Sequence, residues 1–111
     1  MFVSIHHSHI PYARFIAALQ AGDLGFILRH ADALTFGLPD AARVCQLISE
    51  RAPERLEAAS LRWVRRYAAE APGQRFDDYR LIVDALGEIR SEPEPATRRL
   101  LALCRSRGLD P

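Results

Sequence analysis

The chain of 111 residues has no lysine, no apolar run of membrane-spanning length, two cysteines and a net charge of only +1. Each scarcity excludes something. A membrane-crossing helix needs roughly 18 or more apolar residues in succession, and no run here approaches that, so no membrane partner is expected. A near-zero net charge supplies no whole-molecule field to draw the protein onto nucleic acid or an anionic lipid surface. Cys45 and Cys104 match no zinc or redox spacing. Both fall at apolar positions of predicted helices, where a free thiol behaves as a small hydrophobe, and a disulfide between them would need an oxidising compartment. The opening residues, MFVSIHHSHI, have no basic n-region and no long apolar segment, unlike a signal peptide, and the expected setting is the cytoplasm. Catalytic signatures are missing too: no Ser/His/Asp or Cys/His pattern, phosphate-binding loop or HExxH motif is present. The expectation is therefore a protein that is not an enzyme and uses no cofactor.

What remains is a globular composition, 49% hydrophobic and 26% charged, long enough to bury a core without staples. All fifteen basic residues are arginine, and seventeen residues are alanine. GC-rich codon usage produces such a bias. Arginine also makes planar, bidentate contacts to carboxylate or phosphate that lysine does not. Charge is uneven, −1 over residues 1–50 and +2 over residues 51–111.

Apolar residues recur at helical spacing along nearly the whole chain. Residues 1–9 form a lead-in arm. A helix from Pro11 carries Tyr12, Phe15, Ile16 and Leu19, and Gly22-Asp23 reads as a stop followed by an N-cap. A second helix carries Leu24, Ile27, Leu28, Ala31 and Leu34 on one face. A third starts at Pro39, with Ala41, Val44, Cys45, Leu47 and Ile48 as its stripe. The fourth spans residues 53–71, with Leu56, Ala59, Ser60, Trp63, Val64, Tyr67 and Ala71 facing the core. Leu61 and Ala68 add a second apolar patch, which predicts a central helix contacted from two sides. A fifth runs from Asp77 to Arg90 with an apolar arc wide enough for burial on more than one side. Residues 91–95 read as a stiff acidic connector, and a sixth helix spans residues 96–107, closed by Gly108. No strand pattern with hairpin turns accompanies them. The predicted fold is all-α, a compact single-domain bundle of five or six helices over residues 10–111. Unequal helix lengths favour mixed crossing angles.

Four groups of residues are candidates for chemistry. His6, His7 and His9 are potential metal ligands, but their spacing fits no standard site, so no metal is expected. On the fourth helix, Arg55, Arg62 and Arg66 form a ridge flanked by Arg65. Arg55 and Arg62 have no acid one turn away, and Arg66 has only Glu70, in the less favourable order. Glu92 and Glu94 are candidate partners within the chain. Near the C-terminus, Arg98, Arg99, Arg105 and Arg107 cluster, the last two favoured by the helix dipole alone. Asp77 and Asp78 open the fifth helix, where N-capping explains them. Trp63 and Tyr67 lie one turn apart on the core face. These residues predict a helical protein–protein interaction or regulatory module. It would bind a protein partner or itself as a homodimer, through Arg55, Arg62, Arg65 and Arg66. The alternative is a small nucleic-acid-binding regulator using Arg62, Arg66, Arg98 and Arg99. That reading lacks a domain-wide basic face or a recognisable module.

The pattern Ala17-Ala18-Leu19, Gly22-Asp23-Leu24, Leu28-Arg29-His30-Ala31, Asp40-Ala41, Leu61-Arg62-Trp63, Arg98-Arg99-Leu100-Leu101 and Arg107-Gly108-Leu109 resembles uncharacterised small all-helical proteins of high-GC actinobacteria. The resemblance covers residues 17–109. It implies a helical fold and an intracellular setting, and carries no activity and no site.

Overall fold

A computed structural model describes residues 11–31 and 36–109. The N-terminal arm with His6, His7 and His9, and Leu34 of the second predicted helix, lie outside the described residues. The fold is all-α, as the periodicity predicts. The described residues form six α-helices and no strand: α1 (Tyr12–Ala21), α2 (Leu24–Arg29), α3 (Leu38–Arg51), α4 (Leu56–Glu70), α5 (Phe76–Glu88) and α6 (Pro93–Ser106), with a 3-10 turn (Pro53–Arg55) before α4. Contacts divide the chain into two units that meet in sequence between Phe36 and Gly37.

The first unit holds α1 and α2. Gly22 ends α1 with φ +72°, a left-handed conformation that glycine adopts without the Cβ clash other residues meet. Its N–H bonds the Leu19 carbonyl at 3.1 Å, and the Asp23 N–H reaches back to Ala18 at 2.8 Å. Asp23 then caps α2 by accepting from the Phe26 N–H at 3.0 Å, the stop and start read from the sequence. Phe15 is buried and stacks on Phe36 at 4.5 Å. The helix α2 is shorter than its apolar stripe predicts. It ends at Arg29, where the His30 N–H bonds the Phe26 carbonyl at 3.1 Å and the Ala31 N–H, in a shorter turn, makes a longer 3.5 Å contact to Leu28.

In the second unit α3 packs on both α4 and α6, and α6 packs on α5. The centre is therefore α3 and α6, whose Ala42, Leu100, Ala96 and Cys104 are fully enclosed. This corrects the expectation that α4 is the central helix. Leu61 is 53% exposed and Ala68 is exposed too, so α4 buries one face only. That face is the predicted one: Leu56, Ala59, Trp63, Tyr67 and Ala71 are buried. Trp63 donates its indole N–H to the Leu38 carbonyl at 3.0 Å. The bond satisfies the one polar atom of a buried side chain and fastens α4 to the start of α3. Trp63 and Tyr67 stack at 5.7 Å, in the core as expected.

Two further expectations change. The acidic segment is not a free connector: Pro93 opens α6 at its first position and Glu94 and Pro95 lie in its first turn. Proline is tolerated there because the first-turn N–H groups have no helical partner anyway. The wide apolar arc of α5 is not buried on more than one side. Asp78, Ile82, Ala85 and Ile89 face inward, while Phe76 and Val83 are 82% and 64% exposed.

Candidate interaction surface

Three arginines of the predicted ridge point to solvent. Arg55 lies in the 3-10 turn, Arg62 and Arg65 on α4, and all three are exposed. No carboxylate among the described residues pairs with them. The connector acids do not reach them: Glu94 stands 4.0 Å from Arg98 on α6 itself. Arg66 behaves differently from its neighbours. It is half-buried and grips Glu70 with two nitrogens, at 2.8 and 3.3 Å, despite the less favourable order. The unpaired ridge is thus Arg55, Arg62 and Arg65. Exposed Leu61 sits beside Arg62 and Arg65 on the outward side, with Ala58 and Ala68 also exposed. Helical spacing groups these residues into one surface, an apolar strip edged by cations.

Of the C-terminal arginines, Arg105 is exposed, and Arg98, Arg99 and Arg107 each face an acid. Arg99 bonds Glu88 at 2.5 Å and so ties α6 to α5. Arg107, expected only to complement the α6 dipole, instead enters the most densely bonded polar cluster among the described residues. Its Nε and Nη2 bond the Asp78 carboxylate at 2.9 and 2.7 Å. The Tyr67 hydroxyl donates to the same carboxylate at 2.8 Å. The Arg75 N–H donates at 3.1 Å, the return bond of a capping box from the third helical position; the N-cap itself is Arg75, not Asp77 or Asp78 as the sequence suggests. The Arg107 guanidinium, opposing burial, and the Tyr67 bond together bring the Asp78 carboxyl down to about 2. Burial, then the carboxylate beside it, pushes the Tyr67 phenol up to about 12. Asp78 and Arg107 are 29 residues apart, and no local spacing signals such a pair. The one legible hint is a carboxylate at the third position of a helix.

Neither cysteine is placed for chemistry. Cys45 and Cys104 are both buried and neither is in a disulfide. The Cys45 thiol lies 3.8 Å from the Ala59 carbonyl, and burial pushes it up to about 12, where almost no thiolate forms at neutral pH. His30 packs against the Phe26 ring at 4.5 Å. Among the described residues no group of three His, Cys, Asp or Glu side chains converges, and no helix is long and apolar enough to cross a membrane. No family model matches the chain, and neither a curated protein nor a solved structure matches it.

Proposed function

We propose that this protein is a non-enzymatic helical interaction module whose α4 outer face docks an acidic segment of a protein partner. The observation that supports it most is the contrast among arginines. The fold provides carboxylates for Arg43, Arg66, Arg99 and Arg107 and none for Arg55, Arg62 and Arg65, which by helical spacing lie to one side of an exposed leucine. A guanidinium fork binds a carboxylate bidentately, with geometric specificity as well as charge. Leu61 adds the apolar contact that an ionic surface alone lacks. The buried, unlinked cysteines fit a reducing, cytoplasmic setting. The nucleic-acid reading has less support, because Arg66, Arg98 and Arg99 each face a glutamate, leaving Arg62 alone of that set.

The test is a titration with a labelled peptide of alternating glutamate and leucine, followed by amide chemical-shift changes. Binding that maps to residues 55–69 and falls at least tenfold in an R55E/R62E/R65E variant is the expected result. Unchanged binding by that variant, or none at low salt, refutes the reading. Tight, steeply salt-dependent binding of duplex DNA in place of the peptide moves the assignment to nucleic acid.

A further inference from the structure

The outward face of α5 belongs neither to the core nor to the arginine ridge. Phe76, Tyr79, Val83 and Leu86 recur at alternating spacings of three and four, the a and d positions of a heptad seam. In a helix satisfied by its own bundle such a seam is covered. Here Phe76 and Val83 are 82% and 64% exposed, and Tyr79 and Leu86 are only half-buried, Tyr79 with one edge of its ring against the buried Tyr67 and its hydroxyl on Gln74. Gly87 lies one turn beyond Val83 on the same side. A Cβ built there meets no atom within 4 Å, so intramolecular packing does not require the glycine, which weakens a helix interior. An approaching second helix would use the space.

Charge beside the seam selects the occupant. Arg80 and Asp84 are exposed on one flank, with Asp77 nearby. Arg80 and Asp84 stand one turn apart yet make no ion pair, and none of the three is paired among the described residues. A flank that carries both signs is self-complementary under a two-fold axis, because each contact occurs twice, with the roles exchanged.

We propose that α5 pairs antiparallel with α5 of a second copy of this chain, with the two-fold axis near Leu81. In this register Phe76 meets Leu86 and the Gly87 space, Tyr79 meets Val83, and Arg80 of each copy reaches Asp84 of the other. The glycine admits the phenylalanine ring, and two reciprocal ion pairs fix the direction. A seam of four side chains on a helix about 20 Å long buries on the order of 1,000 Å² in total, the low end for specific interfaces. The dimer is accordingly micromolar and reversible. It does not depend on the α4 reading, since no ridge arginine takes part.

Sedimentation velocity on the full chain, from a few to several hundred micromolar, tests the pairing. A concentration-dependent monomer–dimer equilibrium is expected. Phe76→Glu and Val83→Glu each weaken it at least tenfold without changing the melting temperature of the monomer, since both positions are exposed. Arg80→Asp and Asp84→Arg each weaken it, and an equimolar mixture of the two regains dimer. The R55E/R62E/R65E variant dimerises like the wild type. For direction, a mixture of Phe76→Cys and Gly87→Cys proteins under mild oxidation by copper phenanthroline and oxygen forms a mixed disulfide, whereas Phe76→Cys alone does not link to itself. A strict monomer throughout, a dimer indifferent to Phe76→Glu and Val83→Glu, or self-linking of Phe76→Cys overturns the proposal.

Discussion

Replacing Asp78 with asparagine removes one charge and nearly preserves the shape of the side chain. In the wild type this carboxylate, 5% exposed, accepts from Arg107, Tyr67 and the Arg75 backbone N–H. It joins α4, α5 and the end of α6 at one point. The amide keeps its oxygen for the Arg75, Tyr67 and Arg107 Nε bonds, which all converge on one carboxylate oxygen, but turns its N–H₂ group toward the other guanidinium nitrogen, donor against donor. Removing one partner of a buried ion pair costs about 3–5 kcal/mol. Arg107 retains some contact with water, which places Asp78→Asn at about 3 kcal/mol. In a domain of this size that lowers the melting temperature by about 15 °C. The pH dependence identifies the cause. A carboxyl held at about 2, against an unfolded value of 3.8, stabilises the folded state fully above the unfolded value. That stabilisation, about 2 kcal/mol after allowing for solvent screening, is lost as pH falls from about 5 toward 2. Urea unfolding followed by Trp63 fluorescence and far-ultraviolet dichroism is therefore expected to separate wild type from Asp78→Asn by about 3 kcal/mol at pH 7 and to narrow the gap to about 1 kcal/mol near pH 2. A difference below about 0.5 kcal/mol at pH 7, the usual size of a neutral surface change, refutes the reasoning, as does a difference that persists unchanged in acid.

The alkaline limb has its own reporter. Tyr67 is held neutral up to about 12, so its contribution is complete below the unfolded tyrosine value near 10 and is lost as pH rises from there to about 12. Absorbance titration at the phenolate band is expected to show one late tyrosine in the wild type, missing from Tyr67→Phe. Both thiols are expected to resist a water-soluble disulfide reagent in the native protein and to react together on unfolding, because they are buried and Cys45 is held up near 12. Rapid native labelling of either refutes that placement.

The elements legible in the sequence are those whose determinants lie within a few residues. The Gly22-Asp23 junction, the Trp63–Tyr67 face and the existence of the six helices follow from local periodicity and capping, while the end of α2 at Arg29 and the start of α6 at Pro93 depart from the pattern. What the pattern does not carry is which of two apolar faces finds a neighbour. Leu61 with Ala68, and Phe76 with Val83, have the spacing of core residues, yet no described helix of their own unit lies against them. Burial of an amphipathic face depends on the number and order of packed helices, not on the helix itself. The Asp78–Arg107 pair was hidden for a related reason. Its members are brought together only when α5 packs on α6, and one of them had a sufficient local explanation as a helix-end cation. The unpaired state of Arg55 and Arg62 was visible because a missing acid one turn away is a local fact. That Arg65 rather than Arg66 completes the set was not.

The two exposed faces follow from one feature of the packing and differ in what they can bind. With α3 and α6 at the centre of their unit, the flanking helices α4 and α5 each have an outer side that no helix of that unit covers. On α4 that side carries cations of one sign about a small apolar strip. Turned on itself by a two-fold axis, it would set Arg62 and Arg65 against arginines and repel, so its occupant has to bring negative charge. On α5 the larger apolar residues form the seam and both signs stand beside it, so a second copy supplies the complement of each charge. A charge-reversing substitution separates the cases. On α4, converting arginine to glutamate trades one class of partner for another. On α5, either single reversal breaks the match, and only the opposite reversal in the facing copy restores it.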